Sequence, residues 1–315
     1  MNRLRRLLII GILTFFLVSA CRGIAPQQTS SQAVRVVDHV MGQTEVPIDP
    51  QRVVVLGTGL DTILSLGVKP VGTAQVRLDN DYLKNRVEKL DSVGSSSSPN
   101  LEAIVALKPD LILGTKWGGQ SNYELLSQIA PTVIAEVETS GDWKKMLNVY
   151  AEALGKTDKA EQIMADYYAR IDKFQAQMGD RLKKTEVSLV NVRQNRIRIY
   201  LEDSFCGTIV ADAGLPRPPD QAEAETPFAM EISEELLEMT DADVIFIWTS
   251  GDGSRKEAFQ KAQTAWKQLK ADPLWSKLNA VQQGKVYDVP GYWIGAGPIA
   301  ANLVLDDLFE YLVEQ

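Results

Sequence analysis

Histidine and cysteine are nearly missing from this chain, which has one histidine and two cysteines in 315 residues. His39 is therefore the one candidate for a mechanism that relays protons through imidazole, and its context, VVDHVMGQTEVP, is more typical of a hairpin than of a catalytic base. The composition excludes a transition-metal site built from several imidazoles or thiolates. The chain also lacks a G-x-S-x-G motif and a Walker motif. We therefore expect a protein that is not an enzyme, has no cofactor, and meets any metal ion already chelated.

A long hydrophobic run is lacking as well. The apolar run from Leu7 to Val18 has twelve residues, whereas a membrane-spanning helix needs roughly twenty. Three arginines precede the run and small residues follow it. This order is typical of a secretory signal, so we predict a signal peptide over residues 1–20.

The end of that segment, Val18-Ser19-Ala20-Cys21, resembles a bacterial lipobox. The resemblance implies cleavage before Cys21, lipidation of its thiol, and a polar tether over residues 21–33 that holds the folded part near the membrane. The alternatives are an uncleaved anchor or an ordinary signal that happens to end at cysteine.

Basic residues are outnumbered by acidic ones. Removing residues 1–20 removes three arginines and no acid, so 30 basic residues remain against 41 acidic ones, a formal net charge of −11. Nucleic acid is therefore excluded as an expected partner. With Cys21 lipidated, Cys206 has no disulfide partner in the chain, and its apolar context favours a small buried side chain over a reactive thiol.

Short β-branched runs alternate with helical stretches along the rest of the chain, which predicts an α/β fold with mainly parallel sheets. Apolar residues recur at spacings of four, four, three and four from Ile163 to Met178, a one-sided stripe that predicts one long helix. We predict an N-terminal lobe over 34–157, an interlobe helix over 158–183, and a C-terminal lobe over 184–315.

One internal repeat supports two similar lobes. The segment from Asn100 to Ile112 matches the segment from Ser233 to Ile245 at a constant offset of 133 residues. In each copy a capping residue begins a helix, a glutamate follows two positions later, and an aspartate precedes an apolar strand. Because ligands on parallel sheets bind beyond the carboxyl ends of the strands, we expect a ligand cleft between the lobes.

Arginine supplies the positive charge that such a cleft needs to hold an anion. Arg193 ends the first strand of the C-terminal lobe, and alternation along RIRIY places Arg196, Arg198 and Tyr200 on one face with Ile197 and Ile199 beneath. A guanidinium pairs well with carboxylate, hydroxamate or catecholate oxygens. Arg77 follows another predicted strand, where a surface ion pair with a nearby aspartate is the alternative.

Tryptophans follow three of the predicted strands. Trp117 follows DLILGTK, Trp248 ends ADVIFIW, and Tyr292 and Trp293 follow KVYDVPG. Their corresponding positions favour an aromatic wall that faces the ligand, and core packing is the alternative.

Three blocks of the sequence resemble a known family. HVMGQTEVPIDPQRVVVLG, SPNLEAIVALKPDLILG and DPLWSKLNAVQQGKVYDVPGYW followed by GPIAANLVLDDL are similar to the periplasmic binding proteins that deliver ferric siderophores, haem and cobalamin to ABC importers. The resemblance implies two lobes that a rigid helix joins. It also implies that Glu102 and Glu235 dock into arginine pockets of the permease, with Glu234 as the neighbour that takes this role if the register shifts by one. First-turn capping of a helix explains both glutamates equally well.

The segment from Val192 to Gln221 is similar to branches of the family that bind ferric hydroxamate or citrate-hydroxamate siderophores. The resemblance implies that Arg193 contacts the chelating oxygens and that Trp293 forms an aromatic wall. One departure is the loop Gly94 to Ser98, where family members that bind hydroxamates can have an arginine. Ser96 and its neighbours can donate hydrogen bonds but carry no charge. We therefore expect the C-terminal lobe to supply the positive charge of the site, with Arg77 and Lys116 as additional cations.

The sequence therefore predicts a monomeric, lipid-anchored protein on the outer face of the cytoplasmic membrane. It is expected to capture a ferric siderophore and present it to the permease and ATPase of an iron importer. A haem or cobalamin carrier of the same family is the first alternative. An extracytoplasmic carbohydrate hydrolase is the second, although it needs two carboxylates in the cleft.

Overall fold

The structure, a computed structural model, describes residues 33–74, 82, 83, 86, 90–194, 196–251 and 256–314. The predicted signal peptide, Cys21, nearly all of the tether and Arg77 lie outside these residues. In the part of the chain that is described, no helix combines the length and apolarity needed to cross a bilayer.

The N-terminal lobe contains a five-stranded sheet in which every pair of neighbouring strands is parallel, in the order β5-β4-β3-β6-β7. A separate antiparallel hairpin precedes the sheet. The hairpin strands are β1 (Val34–His39) and β2 (Gly42–Pro47), and the sheet strands are β3 (Val53–Val55), β4 (Gly72–Thr73), β5 (Asp91–Ser92), β6 (Leu111–Thr115) and β7 (Thr132–Ala135).

The C-terminal lobe contains a second five-stranded sheet, in the order β10-β9-β8-β11-β12. Strands β8, β11 and β12 are parallel, whereas β9 pairs antiparallel with both β8 and β10. The strands are β8 (Val187–Arg193), β9 (Arg196–Tyr200), β10 (Ala229–Ile232), β11 (Val244–Thr249) and β12 (Val286–Asp288). The prediction of an α/β fold with mainly parallel sheets is confirmed, since six of the eight described strand pairs in the two sheets are parallel.

Helices cover both faces of each sheet, which is why the strands read as nearly continuous apolar runs. Along β6, Leu111 and Leu113 belong to one core cluster and Ile112 to the cluster on the opposite face. The described α-helices are α1 (Leu60–Ser65), α2 (Leu101–Ala106), α3 (Tyr123–Ser127), α4 (Trp143–Leu154), α5 (Thr157–Met178), α6 (Phe205–Asp212), α7 (Pro219–Ala222), α8 (Lys256–Lys270), α9 (Asn279–Gln282) and α10 (Pro298–Leu312).

Helix α5 is the predicted interlobe helix, and its apolar stripe is buried as predicted. Ala160 packs in the core of the N-terminal lobe, whereas Tyr167, Ile171 and Phe174 pack in the core of the C-terminal lobe. One stripe therefore contributes to both cores. The α-helix ends at Met178 rather than at the predicted residue 183, and a 3-10 helix, Gly179–Lys184, continues from it.

The internal repeat reflects equivalent hydrogen bonds in the two lobes. Asp110 accepts hydrogen bonds from the backbone N–H groups of Gln51 (2.7 Å) and Arg52 (2.8 Å), just before β3. Its counterpart, Asp243, accepts one from the N–H of Glu186 (2.9 Å), just before β8. Each aspartate thus fixes the start of the first strand of its sheet.

The lobes also contact each other directly beside the long helix. Asp203 O accepts hydrogen bonds from Thr139 Oγ1 (2.7 Å) and from the N–H of Gly141 (3.1 Å), and Ser140 Oγ accepts one from the N–H of Phe205 (3.0 Å). Lys144 on α4 forms a 2.5 Å ion pair with Asp212 on α6. These interlobe bonds resist a change in the angle between the lobes.

Candidate functional site

A cavity of about 250 Å³ lies between the lobes, and we call it the interlobe cavity. Most of its lining follows the carboxyl ends of strands in the two sheets, as the fold argument predicts. The N-terminal lobe contributes Gly57, Thr58, Leu60, Asp61, Thr73, Ala74, Tyr82, Leu83, Ser96 and Ser140, and the C-terminal lobe contributes Arg193, Tyr200, Phe228, Ile294, Gly295 and Ala296. The surface therefore combines hydroxyl groups and aromatic rings with one arginine and one buried carboxylate, that of Asp61, among the described residues.

Arg193 ends β8 and lines the interlobe cavity, as predicted. Its Nε donates to Asn191 Oδ1 at 3.1 Å. Asn191 is fully buried, accepts a second hydrogen bond from Ser250 Oγ (3.0 Å), and donates to the carbonyl oxygen of Trp248 (3.1 Å). Because these bonds fix the amide, Asn191 holds the half-buried guanidinium in one direction at the edge of the cavity.

Close contact between two glycines shapes the N-terminal side of the interlobe cavity. Gly57 has a positive φ of 69°, which favours glycine. A Cβ atom at Gly118 would lie 2.7 Å from Gly57 Cα and 3.4 Å from the Cβ of Ser96. The loops that follow β3, β5 and β6 therefore meet at backbone distance, and this contact brings Ser96 to the cavity surface.

Trp248 and Trp293 do not line the interlobe cavity, which corrects the prediction of a ligand-facing wall. Their side chains are 1% and 0% exposed. Trp248 packs under Tyr200, with ring centroids 5.4 Å apart, and Trp293 stacks on Phe246 at 4.5 Å. Both rings lie on the sheet face that α5, α6 and α10 cover, so core packing takes them away from the surface.

Tyr292 and Trp293 are also held by a buried carboxylate. Asp307 on α10 accepts hydrogen bonds from Tyr292 Oη (2.9 Å) and Trp293 Nε1 (2.6 Å). Burial raises the pKa of Asp307, and the two donors oppose this shift. Tyr292 is not among the residues that line the cavity either, because its hydroxyl points to α10.

Replacing Trp293 with alanine is expected to reduce the free energy of unfolding by about 3–5 kcal/mol, since the change empties a core site and removes one of the two side-chain donors to Asp307. Trp117→Ala is the matched control. Its side chain is 72% exposed, so the expected loss is below about 0.5 kcal/mol. Chemical denaturation of both variants measures the difference, and equal losses would contradict the assignment of Trp293 to the core.

Trp117 lies beside the interlobe cavity rather than in its lining. Its indole N–H donates to the carbonyl oxygen of Glu138 (3.2 Å), and the preceding residue, Lys116, forms an ion pair with the carboxylate of Glu138. The next residue, Gly118, contacts Gly57 in the lining. Trp117 therefore presents an exposed ring at the rim, and Lys116 is engaged by an acid rather than directed into the cavity.

Arg196 and Arg198 share one face of β9 with Tyr200, and Ile197 and Ile199 pack on the opposite face, as the alternation predicts. Tyr200 lines the interlobe cavity, whereas the two arginines are not in its lining. Both form ion pairs with Glu231 on the neighbouring strand β10, at 3.3 Å for Arg196. The hydrogen bond from Arg198 lowers the pKa of Glu231. One carboxylate thus offsets part of the positive charge of this strand.

The two predicted docking glutamates are exposed and lie near the interlobe cavity. Glu102 is in the first turn of α2, which follows the loop 94–98 that contains Ser96. Glu235 is in the first turn of a 3-10 helix, Glu234–Thr240, and lines a surface groove together with Arg193 and Glu234. Each glutamate therefore adjoins an element that also reaches the cavity.

His39 and Cys206 lie outside the interlobe cavity. His39 is in the β1-β2 hairpin, where its Nε2 is 2.8 Å from Thr44 Oγ1, and burial lowers its pKa. Cys206 is fully buried, and burial raises the pKa of its thiol to about 11. The described residues include no group of three or more His, Cys, Asp and Glu side chains that is placed to hold a metal ion.

Several residues of the lining were not predicted from the sequence. The nearest signal in the sequence is position at the end of a strand, because Thr73 is the last residue of β4, and Thr58 and Ser140 lie in the segments that follow β3 and β7. Phe228 precedes β10 and contacts Tyr200, with ring centroids 5.6 Å apart. Asp61 and Asn191 have no local signature, because their roles depend on partners distant in sequence.

Comparison with known proteins agrees with this architecture. The family model described as periplasmic binding protein matches residues 53–292. The "Probable siderophore-binding lipoprotein YfiY" of Bacillus subtilis is 36% identical over 98% of both chains. The achromobactin-binding periplasmic protein of Dickeya dadantii is 30% identical and covers 82% of this chain and 85% of its own length.

A solved structure is also similar over most of its length. Staphylococcus aureus SirA complexed with staphyloferrin B superposes with a TM-score of 0.78 at 32% identity, covering 88% of this chain and 98% of that one. The similarity to these proteins, in sequence and in fold, therefore extends over most of the chain. The chain belongs to the periplasmic binding protein family.

Proposed function

We propose that this protein is the extracytoplasmic binding protein of an ABC importer and that it captures a ferric siderophore. The observation that carries the proposal is the position of Arg193, a cation held by Asn191 at the edge of a cavity between two lobes. A relative named as a probable siderophore-binding lipoprotein matches 98% of the chain. Binding and delivery, rather than chemical conversion, follow from this family.

The lining suits a chelate that has both apolar and oxygen-rich surfaces. Arg193 supplies a charge-assisted hydrogen bond, while Ser96, Thr58 and Ser140 supply hydroxyl groups. Tyr200 and Phe228 supply ring contacts. We propose a hydroxamate or citrate-hydroxamate siderophore, because a single arginine in the described lining fits a complex of low net charge better than a highly charged one.

We propose that the mature protein is a monomer tethered to the outer face of the cytoplasmic membrane through lipid on Cys21. The names of relatives include lipoproteins, which supports this anchor. Glu102 and Glu235 are proposed to contact the permease, and the exposure of both side chains is the support for this role.

Haem is a less favoured candidate ligand than a ferric siderophore. His39 lies in the β1-β2 hairpin and is hydrogen-bonded there, so this histidine does not reach the interlobe cavity. The comparisons with siderophore-binding relatives likewise favour an iron chelate over haem or cobalamin.

Fluorescence titration tests the ligand. We expect ferrioxamine B or ferric citrate to quench the tryptophan fluorescence of the mature protein with a dissociation constant in the micromolar range or below, about −8 kcal/mol or stronger. The iron-free chelators show whether binding requires iron, and a ferric tricatecholate shows whether binding is selective for the ligand class. No response to ferrioxamine B or ferric citrate would refute the proposed ligand class, whether or not the tricatecholate binds.

A further inference from the structure

Asp61 is a buried carboxylate in the lining of the interlobe cavity. It lies on α1 in the N-terminal lobe and is 1% exposed. Its Oδ1 accepts a hydrogen bond from the N–H of Ile299 (2.9 Å), and its Oδ2 accepts one from the N–H of Ala300 (2.9 Å) and one from Tyr82 Oη (3.0 Å). Asp61 therefore caps helix α10 across the boundary between the lobes.

The cap meets a need that α10 cannot meet locally. The first N–H groups of a helix have no partner within the helix, and Gly297, the residue before α10, has no side chain to accept from them. A Cβ atom at Gly297 would collide with the carboxylate of Asp61. Glycine at this position thus leaves the space that a carboxylate from the other lobe fills.

The same contact positions a wall of the cavity. Gly295 and Ala296 line the interlobe cavity and immediately precede the capped turn of α10. A shift of this turn relative to α1 moves these two residues toward or away from the ligand. Asp61 therefore acts on the cavity through the position of another segment, in addition to its own contribution to the lining.

We propose that Asp61 is a positioning residue for ligand binding, and that its interlobe cap of α10 fixes the spacing of the cavity walls. This inference rests on the proposed function for its ligand. The cap itself is a property of the protein alone and is measurable without ligand.

The ionisation of Asp61 makes the effect of the cap on ligand affinity depend on pH. Burial raises the pKa of Asp61 to about 6, while the amides of Ile299 and Ala300 oppose the shift. Two other titratable groups that act on Asp61 are Tyr82 and Arg86. Tyr150 of α4 lies nearby against Gly59, and Arg193 is elsewhere in the lining. The side chain is ionised above this pKa and neutral below it. Asparagine imitates the neutral form, so Asp61→Asn should matter only where aspartate is ionised.

Asp61→Asn is the test variant, and Asp241→Asn is the matched control. Asp241 also accepts hydrogen bonds from two backbone N–H groups at a helix start, those of Asn279 (2.8 Å) and Ala280 (3.2 Å), but within the C-terminal lobe. At about pH 7.5, Asp61→Asn should weaken binding of ferrioxamine B or ferric citrate about tenfold, whereas the control should change it less than about twofold. At about pH 5, Asp61→Asn and the wild type should bind within about twofold of each other.

Amide hydrogen exchange without ligand is the second measurement. Exchange at Ile299 and Ala300 should be faster in Asp61→Asn than in the wild type at about pH 7.5, and unchanged in Asp241→Asn. Equal affinities of Asp61→Asn and the wild type, an affinity ratio that is constant with pH, or an equal effect of the control would overturn the proposal. If the wild type binds no ferric chelate, the proposed function fails, and unchanged exchange at Ile299 and Ala300 would separately refute the interlobe cap.

Discussion

Replacing Arg193 with alanine is expected to weaken ferric siderophore binding by about 1.5–3 kcal/mol, the range for a hydrogen bond to a charged group. This corresponds to a loss of affinity of about tenfold to a hundredfold or more. The physical reason is the position of the guanidinium, which Asn191 holds at the cavity edge. Fluorescence titration of the wild type and the variant measures the change.

Arg196→Ala is the control for charge alone. Arg196 lies on the strand that pairs with β8, directly opposite Arg193 in the register, but it is not in the cavity lining and is paired with Glu231. We expect its removal to change affinity less than about twofold, because exposed ion pairs contribute little. If both variants lose affinity equally, ligand binding depends on the total positive charge near the site, and the proposed direct contact between Arg193 and the ligand is wrong.

Replacing Glu102 and Glu235 with alanine together is expected to abolish iron uptake in cells while ligand affinity stays unchanged. Both side chains are exposed and neither lines the interlobe cavity, so ligand binding has no reason to change. If the two carboxylates dock into arginine pockets as proposed, their loss would remove charge-assisted contacts with the permease. Uptake of iron-55 with the purified ligand identified by titration measures the effect.

Glu124→Ala separates docking from helix capping. Glu124 is an exposed first-turn acid of the short helix α3, as Glu102 is of α2. The helix-dipole contribution of each is about 0.3–1 kcal/mol, so unfolding experiments should give similar small losses for Glu102→Ala and Glu124→Ala. Normal uptake by the Glu102 and Glu235 double variant would refute docking, and impaired uptake by Glu124→Ala would assign the defect to stability.

Features that depend on local periodicity were predictable. The stripe of α5 and the alternation along β9 follow from 3.6- and two-residue repeats, and burial of Tyr167 and of Ile197 agrees with both. Arg193 was predictable for a related reason, since the end of a buried parallel strand opens toward the ligand edge of the sheet. The residues of the internal repeat likewise keep equivalent roles at Asp110 and Asp243.

The aromatic residues were not predictable in the same way. Trp117 and Trp293 follow strands and Trp248 lies near the end of β11, yet Trp117 is at the rim and the other two are in the core. Position at the end of a strand fixes where the backbone of a residue lies. The helix that packs against that end of the sheet decides whether the side chain is buried. The helices that bury Trp248 and Trp293 are α6, which precedes both residues by more than 30 positions, and α10, which follows both. The sequence around each tryptophan therefore does not show that it is covered.

The sequence by itself determined the α/β class, the two lobes, the long connecting helix and the arginine at a strand end, because each depends on residue type and spacing within one segment. Only the tertiary structure decided which groups meet across the lobes. Asp61 caps a helix that begins 237 residues later, since Oδ1 and Oδ2 reach amides at Ile299 and Ala300. Glu231 offsets the charge of Arg196 and Arg198 for the same reason, because strand pairing brings it beside them.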